Sequence, residues 1–316
     1  MYFFLPLGWF YVNILNDKIF QSRPSARTGF WKKPETAPRV GVIGRNAMTT
    51  SRPAIFIQNI CRFVLILFLT GSIAAPAGEK AASIKTLADL NGKRISVLTG
   101  TMLDEAANAA IDYTRIIYYD DNQAQIAALR AGEIDAIIDD EPVARYLSST
   151  NPDLIMLEEK LQDDDYALAV HYGEDRLHRQ LDQALGTMIR EKVVDDLVAR
   201  WVEGADIGRR MPNLSKPGTG KPLRFGISSV SAPFAYLDEN GKPIGLDVEL
   251  MERLARRLNR PLEVVDMEFS LLIPSLVAGK VDVIGSCLSV TEERKALIHF
   301  TQPYYKGGAA ALILAD

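Results

Sequence analysis

The sequence predicts an α/β protein made of two halves that share one plan. Two stretches predict it, Leu129-Arg-Ala-Gly-Glu-Ile-Asp-Ala-Ile and Leu276-Val-Ala-Gly-Lys-Val-Asp-Val-Ile, because each combines the end of an apolar-periodic helix, a glycine and a short apolar strand. Gly132 and Gly279 stand where a helix ends in a left-handed residue. The composition, with 47% hydrophobic and 24% charged residues in 316, suits a globular chain long enough for two packed lobes. Helix, glycine and strand also recur as ordinary connections in α/β proteins, so the repeat alone establishes no function.

Opposite kinds of polar residues follow the two repeats. The first repeat runs into Asp139-Asp140-Glu141-Pro142, and the second runs into Ser286-Cys287-Leu288-Ser289 and then Thr291-Glu292-Glu293-Arg294. One half therefore offers carboxylates at a strand end, and the other offers hydroxyls, backbone N–H groups and a guanidinium. Ligands of open α/β sheets bind at the carboxyl ends of strands, so this pairing suits a zwitterion. The alternative is structural, with Asp140 as a helix N-cap and Arg294 in a surface ion pair.

The first half of the predicted fold alternates strands and helices. Strands are expected at 93–99, 115–119 and 134–138, with short ones near 154–157 and 166–170. Helices are expected after Gly100-Thr101, at 122–130 and at 141–149, where Pro142 suits the first turn. Backbone N–H groups at the Gly100-Thr101 turn can bind an anionic group, and a plain tight connection is the alternative.

Two packing helices and a linker separate this unit from the next. An i, i+4 stripe of Leu177, Leu181, Leu185 and Ile189 predicts one helix, and residues 193–201 predict a second. Residues 204–220 are rich in glycine and proline, which indicates a linker. A strand from Leu223 and a helix at 246–258 begin the second unit, in which strand, helix and strand repeat through Ile313.

Residues 63–77 have the pattern of a secretory signal peptide. They form an uncharged apolar run after Arg52 and Arg62 and end in Ala75-Pro76-Ala77, with cleavage expected after Ala77. The run is too short to span a membrane, which takes about 20 apolar residues, and a buried helix is the alternative. Met48 would begin a signal peptide of ordinary length. We therefore expect a signal peptide at 48–77, an untranslated or disordered leader at 1–47, and a periplasmic or otherwise extracytoplasmic mature protein.

The mature part is acidic. Residues 1–77 hold 9 of the 36 Lys and Arg and 2 of the 40 Asp and Glu, so the remainder carries a net charge of about −11. This balance argues against nucleic acid and anionic lipid as partners. Only Cys287 follows the cleavage site, so no intrachain disulfide is expected. The three histidines have no close Cys/His spacing, so we expect neither a structural zinc site nor a cofactor.

Several segments of the second unit together resemble the first lobe of the polar amino-acid-binding proteins of ABC importers. They are Ala232-Pro233-Phe234-Ala-Tyr, Gly245-Leu-Asp247-Val-Glu-Leu, Phe269-Ser-Leu-Leu-Ile-Pro274-Ser-Leu, Ser289-Val-Thr-Glu-Glu-Arg294 and Phe300-Thr-Gln-Pro-Tyr-Tyr305. Leu90-Asn-Gly-Lys-Arg-Ile-Ser-Val-Leu-Thr-Gly100-Thr and Asp139-Asp140-Glu-Pro resemble the second lobe, so the resemblance covers residues 83–316. It implies a two-lobed periplasmic-binding-protein-like type 2 fold, with mixed sheets flanked by helices and a ligand cleft between the lobes.

The order of the lobes is reversed relative to that family. We therefore expect a circular permutation in which residues 83–203 form the second lobe with its packing helices, 204–221 the linker and 222–316 the first lobe. A tandem array cut so that half of each of two binding proteins remains is the alternative. The arrangement resembles binding portions fused ahead of importer permeases, which implies a membrane permease as partner and a permease domain downstream.

The resemblance also implies the roles of individual residues. Arg294 would grip the α-carboxylate of an amino acid in bidentate fashion, helped by Ser289 and, from the opposite lobe, by Thr99, Gly100 and Thr101. Asp140 and the backbone carbonyl of Cys287 would take the α-ammonium group. Phe269 would lie against the ligand side chain, whose distal end would meet Asp139, Ser228 and Ser231.

The ligand and the class of protein follow from two further considerations. Many basic-amino-acid binders place an acid near Ser228 and an aromatic residue near Ser231, so the two serines favour a small polar amino acid. A periplasmic enzyme on the same fold, dehydratase-like or peptidoglycan-cleaving, is the main alternative, and a ligand-sensing domain of a receptor is another. Ammonium recognition explains the acids at 139 and 140 without a catalytic acid or base, so binding without catalysis is favoured.

Overall fold

The structure is a computed structural model that describes residues 83–112, 115–204, 209–214 and 218–315. The predicted leader and signal peptide lie outside the described residues, as do parts of the predicted linker. The described chain is α/β, with mixed sheets flanked by helices and arranged as two lobes, as the sequence predicts. Gly132 and Gly279 have φ angles of 69° and 67°, so both repeats end their helices in the left-handed conformation expected.

The earlier sheet has five strands in the order β2-β1-β3-β13-β4, with strands numbered along the chain. Its strands are β1 (Arg94–Leu98), β2 (Arg115–Tyr119), β3 (Ala136–Asp140), β4 (Leu154–Tyr166) and β13 (Tyr305–Leu314). The first three are parallel to one another, whereas β13 runs antiparallel to both β3 and β4. Three helices connect the early strands, namely α1 (Leu103–Ala110), α2 (Asn122–Arg130) and α3 (Glu141–Thr150).

The later sheet has the order β10-β6-β11-β5-β12, and a three-stranded sheet β7-β8-β9 accompanies it. The strands are β5 (Ala169–His171), β6 (Leu223–Ile227), β7 (Val230–Ser231), β8 (Ala235–Leu237), β9 (Pro243–Ile244), β10 (Leu262–Asp266), β11 (Val283–Ile284) and β12 (Ile298–Phe300). The helices are α4 (Asp175–Arg190), α5 (Val193–Trp201), α6 (Leu246–Arg257), α7 (Leu272–Val277) and α8 (Glu292–Lys295).

Each five-stranded sheet takes its antiparallel strand from the other half of the chain. β13 lies between β3 and β4, and β5 lies between β11 and β12, so the two sheets have equivalent strand orders. We call this arrangement the strand exchange. The segments that pass between the sheets, residues 166–168 and 301–305, lie side by side, since Tyr304 N–H donates to the carbonyl of Tyr166 at 3.0 Å and Thr301 N–H to that of Leu168 at 2.9 Å. The strand exchange leaves each sheet incomplete without a segment of the other half.

Two strands differ from the local prediction. β3 begins at Ala136 rather than 134 and includes Asp139 and Asp140, which were expected to follow it. β4 is one strand of 13 residues instead of a short strand near 154–157, and it continues through residues 158–165, six of which are charged. The physical reason is pairing: β13 provides a long antiparallel partner, and ladder formation overrides the low strand propensity of the acidic residues.

The two predicted packing helices form and lie against the later unit. Leu181 and Leu185 of α4 and Trp201 of α5 are fully buried, as the i, i+4 stripe requires. Both helices contact α6, so residues from the first part of the chain cover the core of the second.

A buried carboxylate fixes this packing. Glu249 of α6 is fully buried and accepts hydrogen bonds from Arg200 at 2.7 Å, from the Trp201 indole N–H at 2.9 Å and from Arg253 at 2.8 Å. Burial raises the pKa of Glu249, but the hydrogen bonds from its three partners outweigh that effect and hold the pKa below its usual value. Glu249 is therefore ionised, and its hydrogen-bond donors come from both α5 and α6.

Glu249→Ala should lower the free energy of unfolding by about 3 to 5 kcal/mol, because it leaves a buried indole N–H and a partly buried guanidinium without their acceptor. Urea unfolding followed by circular dichroism measures the change. Asp195→Ala, which breaks an ion pair with Lys192 between two exposed side chains, is the control and should have a far smaller effect. Equal effects of the two variants would contradict the structural role of Glu249.

Candidate functional site

The guanidinium of Arg294 lies buried where the two halves meet. Its Nη1 donates to the carbonyl of Ser289 at 3.0 Å, and its Nη2 donates to the carbonyl of Gly100, from the other half, at 3.2 Å. Its Cζ lies 5.6 Å from the centroid of the Phe269 ring. Arg294 is placed by α8, whose N-cap Thr291 accepts the Arg294 backbone N–H. The side chain is only 4% exposed, so Arg294 is not the surface ion-pair partner of the structural alternative.

Asp140 presents a second buried charge at the same junction. Its Oδ1 accepts the Tyr166 hydroxyl at 2.7 Å, and its Oδ2 lies 3.3 Å from the Sγ of Cys287, which belongs to the other half. Burial raises the pKa of Asp140 to about 6, opposed by the hydrogen bonds from Tyr166 and Cys287 and by the charge of Arg294. The carboxylate and the guanidinium thus act on each other across the junction of the halves.

Asp139 is turned the other way, as consecutive residues of a strand must be. Its Oδ2 accepts from Nδ2 of Asn122 at 2.7 Å, and its Oδ1 accepts the backbone N–H of Asp140 at 2.8 Å. The same amide of Asn122 donates to Gln125, which donates to Ser96, so Asp139 ends a chain of buried polar groups under α2. Burial, reinforced by the charge of Asp140, raises the pKa of Asp139 to about 8.

The backbone at Ser286 and Cys287 adopts an unusual conformation. Their φ angles are 81° and 43°, in the left-handed region that residues other than glycine seldom occupy. Both N–H groups donate to Oδ2 of the fully buried Asp247, at 2.7 and 3.0 Å, so this carboxylate holds the corner in place. Burial raises the pKa of Asp247 to about 6. The Ser286 hydroxyl accepts the N–H of Ser228 at 2.8 Å, which connects Ser228 to the same corner.

The turn at residues 99–101 approaches the other half very closely. Gly100 has a φ of 81°, and a Cβ atom built on it would lie 2.7 Å from the Cα of Ser270. Only glycine fits both the conformation and the contact. The Thr99 and Thr101 hydroxyls donate to the carbonyls of Tyr119 and Leu98, at 3.1 and 2.7 Å.

A cleft of about 320 Å³ opens at the start of α8, the helix that carries Arg294. Residues of both halves line it, namely Met102, Glu105, Gln162, Asp163, Asp164, Thr291, Glu292 and Glu293. We call this opening the acidic mouth, because five of the eight side chains are carboxylates. Burial raises the pKa of Asp164, against the lowering effects of the Ser289 hydroxyl and of the Arg294 charge.

The contacts bring most of the predicted site residues together. Arg294, Ser289, Phe269 and Gly100 form one group, and Asp140 and Cys287 form a second that is coupled to it by charge. Ser228 joins through Ser286, whereas Ser231 lies on β7 and Asp139 faces α2. Whether these residues contact a ligand stays a prediction.

Three residues at the site were not predicted from the sequence. Tyr166 stood in a predicted apolar strand, Asp164 in an acidic run without periodicity, and Asp247 in a quoted motif without a role. A usable signal for Asp247 was its position three residues before Leu250, which puts an acid on the apolar face of the predicted helix. Nothing local marks Tyr166 or Asp164, because both acquire their partners only through the tertiary fold.

The described residues meet the requirements of neither a metal site nor a membrane-spanning helix. No group of three or more His, Cys, Asp and Glu side chains is placed there to hold a metal ion. In the same part of the chain, no helix combines the length and the apolar character that a membrane span requires.

Comparison with known proteins identifies the later unit. Residues 223–316 match the bacterial extracellular solute-binding proteins, family 3. This segment belongs to that family. The matched residues include Arg294, Ser289, Cys287, Phe269 and the two serines at 228 and 231, so much of the candidate site lies inside the family segment.

Relatives in this family carry the names of binding proteins. The "Probable amino-acid-binding protein YxeM" of Bacillus subtilis (strain 168) is 39% identical over 104 residues, which are 33% of this chain and 39% of that protein. The histidine-binding periplasmic protein of Escherichia coli (strain K12) is 35% identical over 91 residues, 29% of this chain and 35% of that protein. The chain thus spans about two fifths or less of the length of these curated relatives.

Among solved structures, the arginine-bound form of domain 1 from TmArgBP is 43% identical over the matched region. The match covers 28% of this chain and 78% of that chain, with a TM-score of 0.27.

The raised pKa values at the site predict that stability falls as pH rises. Asp139 titrates at about 8 in the folded protein, whereas an unfolded Asp titrates at about 3.9. The folded state therefore keeps a proton that the unfolded state releases, so the contribution of Asp139 to stability is fully present below pH 4 and is lost as the pH rises to 8. Asp139→Asn should reduce the slope of the unfolding free energy against pH by about 1.4 kcal/mol per pH unit between pH 5 and 7.

Urea unfolding at a series of pH values measures this slope. Asp135→Asn serves as the control, because the hydrogen bond from Arg94 lowers the pKa of Asp135 and its titration lies below this pH range. An unchanged slope in Asp139→Asn would show that Asp139 is not the buried group that binds the proton.

Proposed function

We propose that this chain binds a free, polar amino acid outside the cytoplasm and delivers it to an ABC importer. One observation carries the proposal: Arg294 and Asp140, both buried and drawn from opposite halves, place a guanidinium and a carboxylate at one junction. A free amino acid carries the complementary pair of charges on its α-carbon. The family of residues 223–316 and the names of the relatives support the same class of ligand.

The α-carboxylate would be held by Arg294. A bidentate pair between a guanidinium and a carboxylate is among the strongest hydrogen-bonded contacts in proteins, and burial strengthens it further. Ser289 and the 99–101 turn would add donors around the carboxylate. The Arg294 bond to the Gly100 carbonyl is weaker than such a pair, so a ligand carboxylate can replace it.

The α-ammonium group would be held by Asp140 and the Cys287 carbonyl. Asp140 is already oriented by the Tyr166 hydroxyl, and Cys287 is held by the contact of its N–H with Asp247. A positive ligand group next to Asp140 favours the ionised carboxylate and lowers its pKa from the value of about 6 set by burial. At pH values near or below 6, binding would thus release a proton from Asp140.

The side chain of the ligand would lie against Phe269 and extend toward Asp139, Ser228 and Ser231. Hydroxyl groups at 228 and 231 suit a small polar side chain that can exchange hydrogen bonds with them. Asp139 lies on the opposite face of β3 from Asp140, where Asn122 and Gln125 continue its chain of buried donors and acceptors.

The chain order would be a circular permutation of the family's two lobes, with residues 83–203 as second lobe, 204–221 as linker and 222–316 as first lobe. The equivalent strand orders of the two sheets and the strand exchange support it, because both halves then supply one crossing segment. Residues 48–77 would export the protein, and the importer permease would be the membrane partner, encoded downstream or fused.

Arg294→Ala should weaken binding of every amino acid that the wild type binds, by about 2 to 5 kcal/mol, because it removes the partner of a buried carboxylate that all of them share. Isothermal titration calorimetry with a full panel of L-amino acids, on protein beginning at Gly78, measures the loss. Arg130→Ala, which breaks an exposed ion pair with Asp153, is the charge-matched control and should bind as the wild type does. Wild-type affinity in Arg294→Ala would refute the assigned carboxylate site, and turnover of a panel member would favour an enzyme.

Asp140→Asn should also weaken all ligands, whereas Ser231→Ala should change their rank order. The reason is that the α-groups common to all amino acids and the variable side chain would contact different residues. The same calorimetric panel separates the two patterns. A uniform loss in Ser231→Ala would place this serine outside the side-chain pocket.

A further inference from the structure

Tyr166 stands at the point where β4 ends and the chain passes to the other sheet. Its hydroxyl donates to Oδ1 of Asp140 at 2.7 Å, and the carbonyl of Gly308 lies 3.3 Å away. A hydroxyl has one proton to donate, and the shorter contact to a carboxylate is the charge-assisted and stronger one. Tyr166 therefore reaches the acid of the proposed ammonium site from the segment that joins the halves.

The ring of Tyr166 is fixed on several sides. It stacks on Tyr305, with centroids 5.7 Å apart and an interplanar angle of 22°, and it meets Phe234 edge-on at 5.6 Å. Gly307 leaves the space for it, because a Cβ atom there would lie 2.6 Å from the ring. The side chain is fully buried. A ring held in this way has one position for its hydroxyl, so the Asp140 carboxylate is oriented by the fold itself.

We propose that Tyr166 is a positioning residue for ammonium recognition, which orients the Asp140 carboxylate and keeps it ionised for the ligand. The inference rests on the proposed function and extends it to a residue that would not touch the ligand. Tyr166 also belongs to the crossing segments, because its backbone carbonyl accepts the N–H of Tyr304 from the adjacent segment at 3.0 Å. The spacing of the two crossing segments would thereby be linked to the orientation of the acid.

The pH dependence of ligand affinity distinguishes this positioning role from a merely structural role of the Tyr166 hydroxyl. Asp140 must be ionised to hold an ammonium group, and the Tyr166 hydrogen bond favours the ionised form. Removing that bond should therefore make affinity fall at a higher pH than in the wild type as the solution is acidified. Other titratable or charged groups also act on Asp140, and they stay in place in the variant: Asp139 on β3, Asp164 on β4, Arg294 on α8, and Cys287 and Tyr304 on the later half.

The experiment compares Tyr166→Phe with Tyr305→Phe, each in the full mature chain. Tyr305→Phe removes a hydroxyl from the ring stacked on Tyr166 but leaves the Tyr166–Asp140 bond in place. Calorimetry from pH 5 to 8, with the best ligand of the amino-acid panel, should show a loss of about tenfold in affinity at pH 6 for Tyr166→Phe, in line with the loss of one charge-assisted hydrogen bond. The loss should be smaller at pH 8, and Tyr305→Phe should follow the wild-type profile.

A double-mutant cycle completes the test. In an Asp140→Asn background, Tyr166→Phe should cause little further loss, because the carboxylate it would orient is gone. Equal pH profiles for Tyr166→Phe and Tyr305→Phe, or an undiminished effect of Tyr166→Phe in the Asp140→Asn background, would overturn the positioning role while leaving the proposed function intact. If the wild type binds no member of the panel, the proposed function fails, and the role of Tyr166 fails with it.

Discussion

The insertion of β13 between β3 and β4 is the constraint on which the rest of this protein depends. It pairs Ala309 with Asp140 and Tyr305 with Tyr166, so it fixes the end of β3 and the start of the crossing segment in one ladder. It also brings Gly307 against the Tyr166 ring and the Gly308 carbonyl within 3.3 Å of the Tyr166 hydroxyl. Because buried backbone groups must stay paired, neither half can shift along this ladder without breaking several hydrogen bonds. Backbone pairing therefore fixes the positions of the polar residues at the junction more than their own side-chain contacts do.

The same constraint allows charges to be buried where an ordinary core would exclude them. Desolvation of Arg294 and Asp140 is costly, and each is compensated by fixed dipoles: two carbonyls at Arg294, and a phenol and a thiol at Asp140. Asp247 performs a comparable task for the corner at Ser286 and Cys287. The junction thus contains two buried, opposite charges on a rigid frame, each with one contact from its own half and one from the other.

Local sequence features predict the elements whose causes are local. The strand at 115–119 and the helix at 122–130 form with the expected bounds, and both repeat glycines adopt the left-handed conformation. The pattern also predicts that Asp140 at a strand end and Arg294 belong to opposite halves. The full length of β4 and the roles of Tyr166 and Asp164 do not follow from local features. Their partners, namely β13, Asp140 and Ser289, are distant in sequence and reach them only through the tertiary fold.

The acidic mouth affects which molecules reach the cleft and how fast they do so. Its carboxylates belong to both halves, lie within one opening and include the strongly exposed Glu292. Charges grouped within a Debye length, about 8 Å at physiological ionic strength, act together on an approaching solute. The carboxylates repel a solute of net negative charge and turn a zwitterion so that its positive end faces the opening. This repulsion acts before contact and changes the encounter rate, so added salt weakens it without moving any side chain that lines the opening.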